Sequence, residues 1–95
     1  MSKLSAEQVA VYLRGLPNWK YENDSLHKTY ELRDFPSSIR FVQSIAEVAE
    51  DANHHPDLNI RFNRVTVILT THDRRGVTGK DFLLAQQIET LAKSV

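Results

Sequence analysis

Residues 58–70 read LNIRFNRVTVILT, the most regular pattern in the chain. Apart from Ile68, apolar and polar side chains alternate on both sides of Asn63-Arg64, which lies at the centre of the segment. Alternation with a period of two places the apolar side chains on one face of a β-strand. The segment therefore predicts a β-hairpin with one buried face and a two-residue turn at Asn63-Arg64.

The register of this hairpin decides which residues meet at its open end. A turn at Asn63-Arg64 pairs Leu58 with Leu69 and, continued beyond the strands, sets His55 opposite His72. Residues directly opposite each other in an antiparallel pair have Cβ atoms about 4.5–5.5 Å apart. We therefore expect the hairpin to bring these two histidines together.

Three segments have helical patterns, over residues 6–14, 36–53 and 79–93. Ser5 with Gln8 and Thr78 with Asp81 have the spacing of capping boxes, in which two side chains satisfy the free N–H groups at a helix start. On a helical wheel Asp81 falls within the apolar stripe of the last helix. A carboxylate that points inward needs a partner, so we expect Asp81 to be buried and bonded.

The remaining alternating runs, residues 19–22 and 26–32, surround turn residues and predict a first hairpin. The predicted order is helix, hairpin, helix, hairpin, helix. Paired strands without strand–helix alternation indicate an antiparallel sheet with helices on one face, which is an α+β fold. No linker or repeat interrupts the chain, so residues 1–95 are predicted to form a single domain.

The composition narrows the possible functions. The 95 residues include 12 Lys+Arg and 12 Asp+Glu, without a block of like charge, which argues against binding to nucleic acid or to a membrane surface. The chain has no cysteine and no apolar stretch of membrane-spanning length, so we expect a cytoplasmic protein without disulfides. A core of this size favours association, and we expect a homodimer or homotetramer.

Most of the 4 histidines fall in two short segments, residues 53–56 (NHHP) and 70–73 (TTHD). Each segment follows a predicted helix or strand, which places His54, His55 and His72 at the ends of regular elements. The remaining histidine, His27, lies on the polar face of a predicted strand and needs no functional explanation. We therefore treat the two segments as one candidate site.

Three interpretations of this site are open. Three imidazoles could bind zinc, although adjacent histidines diverge and metal ligands on one helix face are normally three or four residues apart. His54 and His55 could simply stabilise the end of the long helix through its dipole. Alternatively, imidazoles that titrate near neutral pH could act as a general acid and a general base. A covalent nucleophile has no support, because the chain lacks cysteine and a Gly-x-Ser-x-Gly motif.

A longer pattern of spaced residues includes Glu50, His54, His55, Pro56, Phe62, His72 and Asp81. This pattern resembles the signature of the pterin-4a-carbinolamine dehydratases. The resemblance extends over nearly the whole chain, from Leu16-Pro17-x-Trp19 through Asn63-Arg64-Val65 to the last helix. It implies a four-stranded antiparallel sheet with three helices, in agreement with the order derived above.

The resemblance also implies an activity, the dehydration of 4a-hydroxytetrahydrobiopterin to quinonoid dihydropterin in tetrahydrobiopterin recycling. It implies that the catalytic residues are His54, His55 and His72. It places contacts with the pterin substrate at Pro56, Thr71, Asp73 and Arg74, and supporting carboxylates at Glu50 and Asp81. The reaction needs an acid and a base but no metal or other cofactor.

The chain departs from the pattern of many family members in two places. Arg74-Arg75 replaces small residues, and Leu58 replaces an aromatic residue shortly after the proline. Some relatives act as binding proteins: animal members also serve as dimerisation cofactors of a homeodomain transcription factor, and certain bacterial relatives assist Rubisco assembly. The presence of all three site histidines favours the enzyme over this alternative.

Overall fold

The computed structural model describes residues 2–95, which form three α-helices and four β-strands. In chain order the elements are α1 (Ala6–Leu13), β1 (Lys20–Glu22), β2 (Ser25–Glu31), α2 (Phe35–Ala52), β3 (Asp57–Arg61), β4 (Arg64–Leu69) and α3 (Gly79–Ala92). A short 3-10 helix, His72–Arg74, lies between β4 and α3. The α+β class and the order of elements predicted from the sequence are confirmed.

The helices begin where side chains satisfy their free backbone N–H groups. Both predicted capping boxes are present, at the starts of α1 and α3. The third helix start is at Asp34, whose Oδ1 accepts a hydrogen bond from the Ser37 N–H at 2.9 Å. α2 ends at Asn53, which has the left-handed conformation with φ 50° that asparagine tolerates better than most residues.

The strands form one antiparallel sheet in the order β1-β2-β4-β3. The two central strands are therefore β2 and β4, and alternate residues of β4, Val65, Val67 and Leu69, are fully buried. They belong to one core with apolar residues of α2 and α3, among them Phe41, Ile45, Leu84, Ala85 and Ile88. Full burial of a Val, Leu, Ile or Phe side chain stabilises a fold by about 1.5–3 kcal/mol, so this layer between sheet and helices holds the domain together.

The register of the β3–β4 hairpin differs from the prediction, which was wrong at this point. Leu58 pairs with Val67 instead of Leu69, and the ladder does not continue to His55 or His72. A change of register by two residues leaves every side chain on the same face of its strand. The alternation of the sequence therefore could not distinguish the two registers.

Tertiary hydrogen bonds accompany the observed register. The hairpin turn consists of Phe62 and Asn63, one residue earlier than predicted. Asn63 is bonded to the chain that follows β2, because its carbonyl accepts from the Leu32 N–H at 2.7 Å and its Nδ2 donates to the Leu32 carbonyl at 3.1 Å. Phe62 is left at the tip with φ 55° and an exposure of 70%.

A polar cluster links β2 to α3 at the edge of the core. Lys28 Nζ donates to Glu89 Oε2 at 2.7 Å, and the Tyr30 hydroxyl donates to the same oxygen. Burial, together with this contact, raises the pKa of Tyr30. Partial burial would raise the pKa of Glu89, but the hydrogen bonds from Lys28 and Tyr30 outweigh it and lower that pKa. Glu89 is therefore ionised at neutral pH and joins the two elements as an acceptor.

The strained turn generates a prediction for stability. Phe62→Asn should raise the free energy of unfolding by about 1 kcal/mol, because a left-handed backbone is unfavourable for phenylalanine and tolerated by asparagine. Phe62→Ala is the matched control, since it removes the exposed ring but keeps a side chain that disfavours this conformation. Chemical denaturation of the three proteins measures the difference. Equal stability of the Asn and Ala variants would show that the turn stores no backbone strain.

Candidate active site

The end of α2 positions the first histidine segment. The N–H groups of Asn53 and His54 donate to the carbonyls of Glu50 and Ala49, both at 3.1 Å. The left-handed Asn53 then directs the chain away from the helix axis. His54 and His55 follow immediately, so a well-ordered helix end fixes where their side chains start.

Asp81, in the first turn of α3, is the buried centre of the site. Its side chain is 0% exposed, and its Oδ1 lies 2.5 Å from His54 Nε2. Its Oδ2 accepts hydrogen bonds from the Thr71 hydroxyl at 2.8 Å and from the Thr78 N–H at 2.9 Å. The predictions that Asp81 points inward and that it completes a capping box are both confirmed.

The two buried threonines extend this network. Thr71 Oγ1 lies 2.8 Å from Thr78 Oγ1, and both residues are buried. The single hydroxyl proton of Thr71 is donated to Asp81, so Thr71 must accept from the Thr78 hydroxyl. Both contacts of Asp81 Oδ2 are then donors, which suits an ionised carboxylate. With Asp81 ionised, the remaining contact requires a proton on His54 Nε2, directed at Asp81 Oδ1.

His55 has a different environment. Its Nε2 lies 2.8 Å from Glu50 Oε2, and the two side chains are 59% and 78% exposed. A charge pair in this position is surrounded by water and adds little to stability. The neighbouring histidines His54 and His55 are therefore each paired with a carboxylate, but only the carboxylate of His54 is shielded from solvent.

The second histidine segment follows β4. Thr71 pairs with Gly76 in an isolated bridge, in which the Thr71 N–H donates to the Gly76 carbonyl at 2.9 Å. Between them the chain forms the short 3-10 helix that begins at His72, and Arg75 adopts the left-handed conformation with φ 55°. This loop exposes His72 and Asp73 beside the buried Thr71.

The two segments line one open cavity of about 360 Å³. Its lining residues are Asn53, His54, His55, Thr70, Thr71, His72, Asp73 and Lys80. Small-molecule sites typically have volumes of about 300–1,000 Å³, so the cavity is large enough for a small ligand. The structure thus brings together all three histidines of the two segments, although the hairpin does not pair them.

Only some of the other residues that the sequence predicted for the site line the cavity. Thr71 and Asp73 are in the cavity lining, whereas Pro56 and Arg74 are not. Glu50 is hydrogen-bonded to the ring of His55, and Asp81 to the ring of His54.

The cavity also contains residues that the sequence did not predict, namely Asn53, Thr70 and Lys80. Thr78 supports the cavity through its hydrogen bond with Thr71. The capping box was the one available signal for Thr78, and nothing in the local sequence pointed to Lys80.

A second cavity lies along α2 and α3. It has a volume of about 400 Å³ and is lined by Ala52, His54, Lys80, Leu83, Leu84, Gln86, Gln87 and Thr90. It is slightly larger than the histidine cavity, and His54 is the only histidine among its lining residues. His54 and Lys80 line both cavities, so the two are neighbours.

Residues 2–95 contain neither a group of metal ligands nor a membrane-spanning helix. Within this range no group of at least three His, Cys, Asp or Glu side chains is arranged to hold a metal ion. No helix in the same part of the chain has both the length and the apolar composition needed to cross a membrane.

The structure is that of a small α+β domain with three imidazoles around one cavity. A model of the family "Pterin 4 alpha carbinolamine dehydratase" matches residues 2–91. The chain belongs to the pterin-4-alpha-carbinolamine dehydratase family. The resemblance inferred from the spaced residues is thereby confirmed.

Relatives in several organisms support the same family. A provisionally named pterin-4-alpha-carbinolamine dehydratase of Metallosphaera sedula is 47% identical over 95 residues, covering 100% of this chain and 99% of the relative. A protein of the same name in Thermosynechococcus vestitus is 49% identical over 90 residues, covering 95% of each chain.

Two solved structures share the fold. A transcriptional coactivator/pterin dehydratase from Brucella melitensis superposes with a TM-score of 0.93 at 29% identity, covering 96% of this chain and 99% of that one. A pterin dehydratase-like RuBisCO assembly factor of the alpha-carboxysome has a TM-score of 0.66 at 17% identity, covering 78% of this chain and 86% of the other. The second similarity shows the fold alone. The same fold therefore occurs in proteins whose names describe different roles.

The buried carboxylate generates a prediction for stability. Asp81→Ala should lower the free energy of unfolding by about 1–3 kcal/mol, because it leaves buried donors of Thr71, Thr78 and His54 without an acceptor. Asp73→Ala is the control, since it removes an exposed carboxylate from the same cavity and should change the melting temperature little. Thermal and denaturant unfolding measure both variants. An Asp81→Ala protein as stable as the wild type would contradict the network described here.

Proposed function

We propose that the chain catalyses the dehydration of 4a-hydroxytetrahydrobiopterin to quinonoid dihydropterin and water, as part of tetrahydrobiopterin recycling. The observation that carries this proposal is the cavity in which His54, His55 and His72 meet, with His54 bonded to a buried carboxylate. Family membership supports the same reaction.

The reaction requires two proton transfers. The C4a–O bond breaks, and its electron pair stays on the hydroxyl oxygen, which accepts a proton and leaves as water. The electron pair of a ring N–H bond forms the new C=N double bond, and the released proton passes to a base. One acid and one base in the same cavity are therefore sufficient, and each contributes typically 10²–10⁴-fold to the rate.

His54 is the proposed base. Its Nε2 proton is directed at Asp81, so in the neutral ring the lone pair is on Nδ1, which is the nitrogen left to accept a proton. When Nδ1 takes the substrate proton, the ring becomes an imidazolium, and the adjacent Asp81 carboxylate stabilises that positive charge. A buried carboxylate behind a histidine fixes its tautomer in the same way in the serine hydrolases.

His55 is the proposed acid, and His72 is proposed to orient the pterin. His55 Nε2 lies 2.8 Å from Glu50 Oε2, on the exposed side from which water can leave. Thr71 and Asp73 present polar groups in the same lining and are the proposed contacts of the pterin ring. Pro56 and Arg74, which lie outside the lining, are proposed to contact the part of the substrate nearest the solvent.

A coupled assay tests the proposed function. The substrate 4a-hydroxytetrahydropterin is generated chemically, and the appearance of quinonoid dihydropterin is followed with and without the protein. We expect acceleration over the spontaneous dehydration, including after extensive treatment with EDTA. A rate equal to the uncatalysed one would reject the enzyme and favour the binding or assembly role that the sequence left as the alternative.

Single substitutions separate the roles of the histidines. His54→Ala and His55→Ala should lower kcat by about 10²–10⁴-fold, because each removes an acid or a base, whereas His72→Ala should have a smaller effect. His27→Ala is the control, since His27 lies on the sheet outside the histidine cavity. Steady-state kinetics on the four variants give the comparison. Near-normal rates for both His54→Ala and His55→Ala would refute the site assignment.

A homo-oligomer is part of the same proposal. β1 and β3 are edge strands, and large apolar side chains are exposed on the surface, among them Val11, Tyr12, Phe35, Ile60 and Phe62. Unpaired strand edges and exposed apolar residues together favour association of copies of the chain. We expect a dimer or tetramer by light scattering at micromolar concentration. A monomeric mass under these conditions would contradict the expectation.

A further inference from the structure

The second cavity, which we name the α2–α3 groove, has a composition suited to an extended polar group. Leu83, Leu84 and Ala52 supply apolar surface, and Gln86, Gln87 and Thr90 supply amide and hydroxyl groups. Among the described residues that line it none is acidic, and Lys80 is a cation. The groove therefore offers donors, acceptors and positive charge to a ligand, and no negative charge that would repel an anion.

The groove and the histidine cavity meet at two side chains. His54, whose side chain is 11% exposed, lines both cavities, and so does the exposed Lys80 at the start of α3. A ligand that reacts beside His54 is therefore at the entrance of the groove. Lys80 therefore lies at the boundary between the two cavities.

In a pterin, the atom that reacts lies close to the atom that carries the variable substituent. The atoms C4a, which loses the hydroxyl, and C6, which carries the variable substituent of pterins, are both bonded to N5. If the reacting C4a–N5 edge lies beside His54, the substituent on C6 must begin beside His54 as well. The substituent can then leave the histidine cavity on the side where His54 borders the groove.

We propose that the α2–α3 groove is a subsite for the C6 substituent of the pterin, and that Lys80 makes it selective for a long substituent carrying negative charge. The inference rests on the proposed dehydration, because it uses the position of the ring beside His54. Apolar parts of the substituent lie against Leu83 and Leu84, and its anionic end is attracted by Lys80. The preferred substrates are then pterins with extended acidic tails instead of short alkyl groups.

Binding of stable oxidised pterins tests the proposal without turnover. Three probes are compared by fluorescence titration or calorimetry: 6-methylpterin, folic acid, which has a long tail with two carboxylates, and the dimethyl ester of folic acid, which has the same length without charge. We expect wild-type protein to bind folic acid about 2–5-fold more tightly than the diester, the range typical of an exposed charge pair. The diester in turn should bind more tightly than 6-methylpterin.

Variants assign each difference to its cause. Lys80→Gln should make the affinities for folic acid and its diester equal, whereas Lys93→Gln, a change of the same charge at a position outside both cavities, should preserve the wild-type ratio. Gln87→Trp fills the groove with a large ring and should abolish the advantage of both long probes over 6-methylpterin. Circular dichroism verifies that each variant is folded.

The outcomes separate this inference from the proposed function. If 6-methylpterin binds and dehydration is accelerated, but the long probes bind no more tightly, the groove is not a subsite and the inference is overturned alone. A preference for folic acid that persists in Lys80→Gln overturns the role of Lys80. If no pterin binds and no dehydration is observed, the proposed function fails and the inference fails with it.

Discussion

The burial of one ionised carboxylate determines how the active-site region is built. Asp81 is fully shielded from solvent, and a buried charge is strongly destabilising unless donors surround it. Its donors come from three different parts of the chain: the start of α3, the segment after β4 and the segment after α2. The same hydrogen bonds that make burial of Asp81 possible therefore bring His54 to Thr71, and the fold and the site depend on each other.

This arrangement gives neighbouring histidines different chemistry. His54 is held in one tautomer by a carboxylate without contact to water, whereas His55 pairs with Glu50 in the solvent. A proton-transfer site needs groups of unequal character, because one must give a proton while another accepts one. Two adjacent residues acquire this inequality here from their surroundings, since their side chains are identical. The neighbouring groove along α2 and α3 is the proposed site for parts of the substrate remote from the reaction.

The sequence predicted those features that depend on neighbours along the chain. The capping boxes at Ser5 and Thr78 involve residues three positions apart, and both were found. The inward direction of Asp81 followed from helical periodicity. The β3–β4 register failed because the alternation is unchanged by a shift of two residues, and bonds between Asn63 and Leu32, far apart in sequence, accompany the actual turn. Regular patterns along the chain thus identified the helices and strands but not the register in which β3 and β4 pair.

The sequence by itself determined the α+β class, the helix and strand segments, and the three histidines as one candidate site. Only the tertiary structure decided which histidine contacts the buried carboxylate, that Pro56 and Arg74 lie outside the cavity lining, and that Lys80 lies between two cavities. These facts depend on how the end of α2 meets the start of α3 across the edge of the sheet. Packing of the apolar core determines where these two helix ends lie. This packing acts between residues that are far apart in the sequence, so no local spacing reveals it.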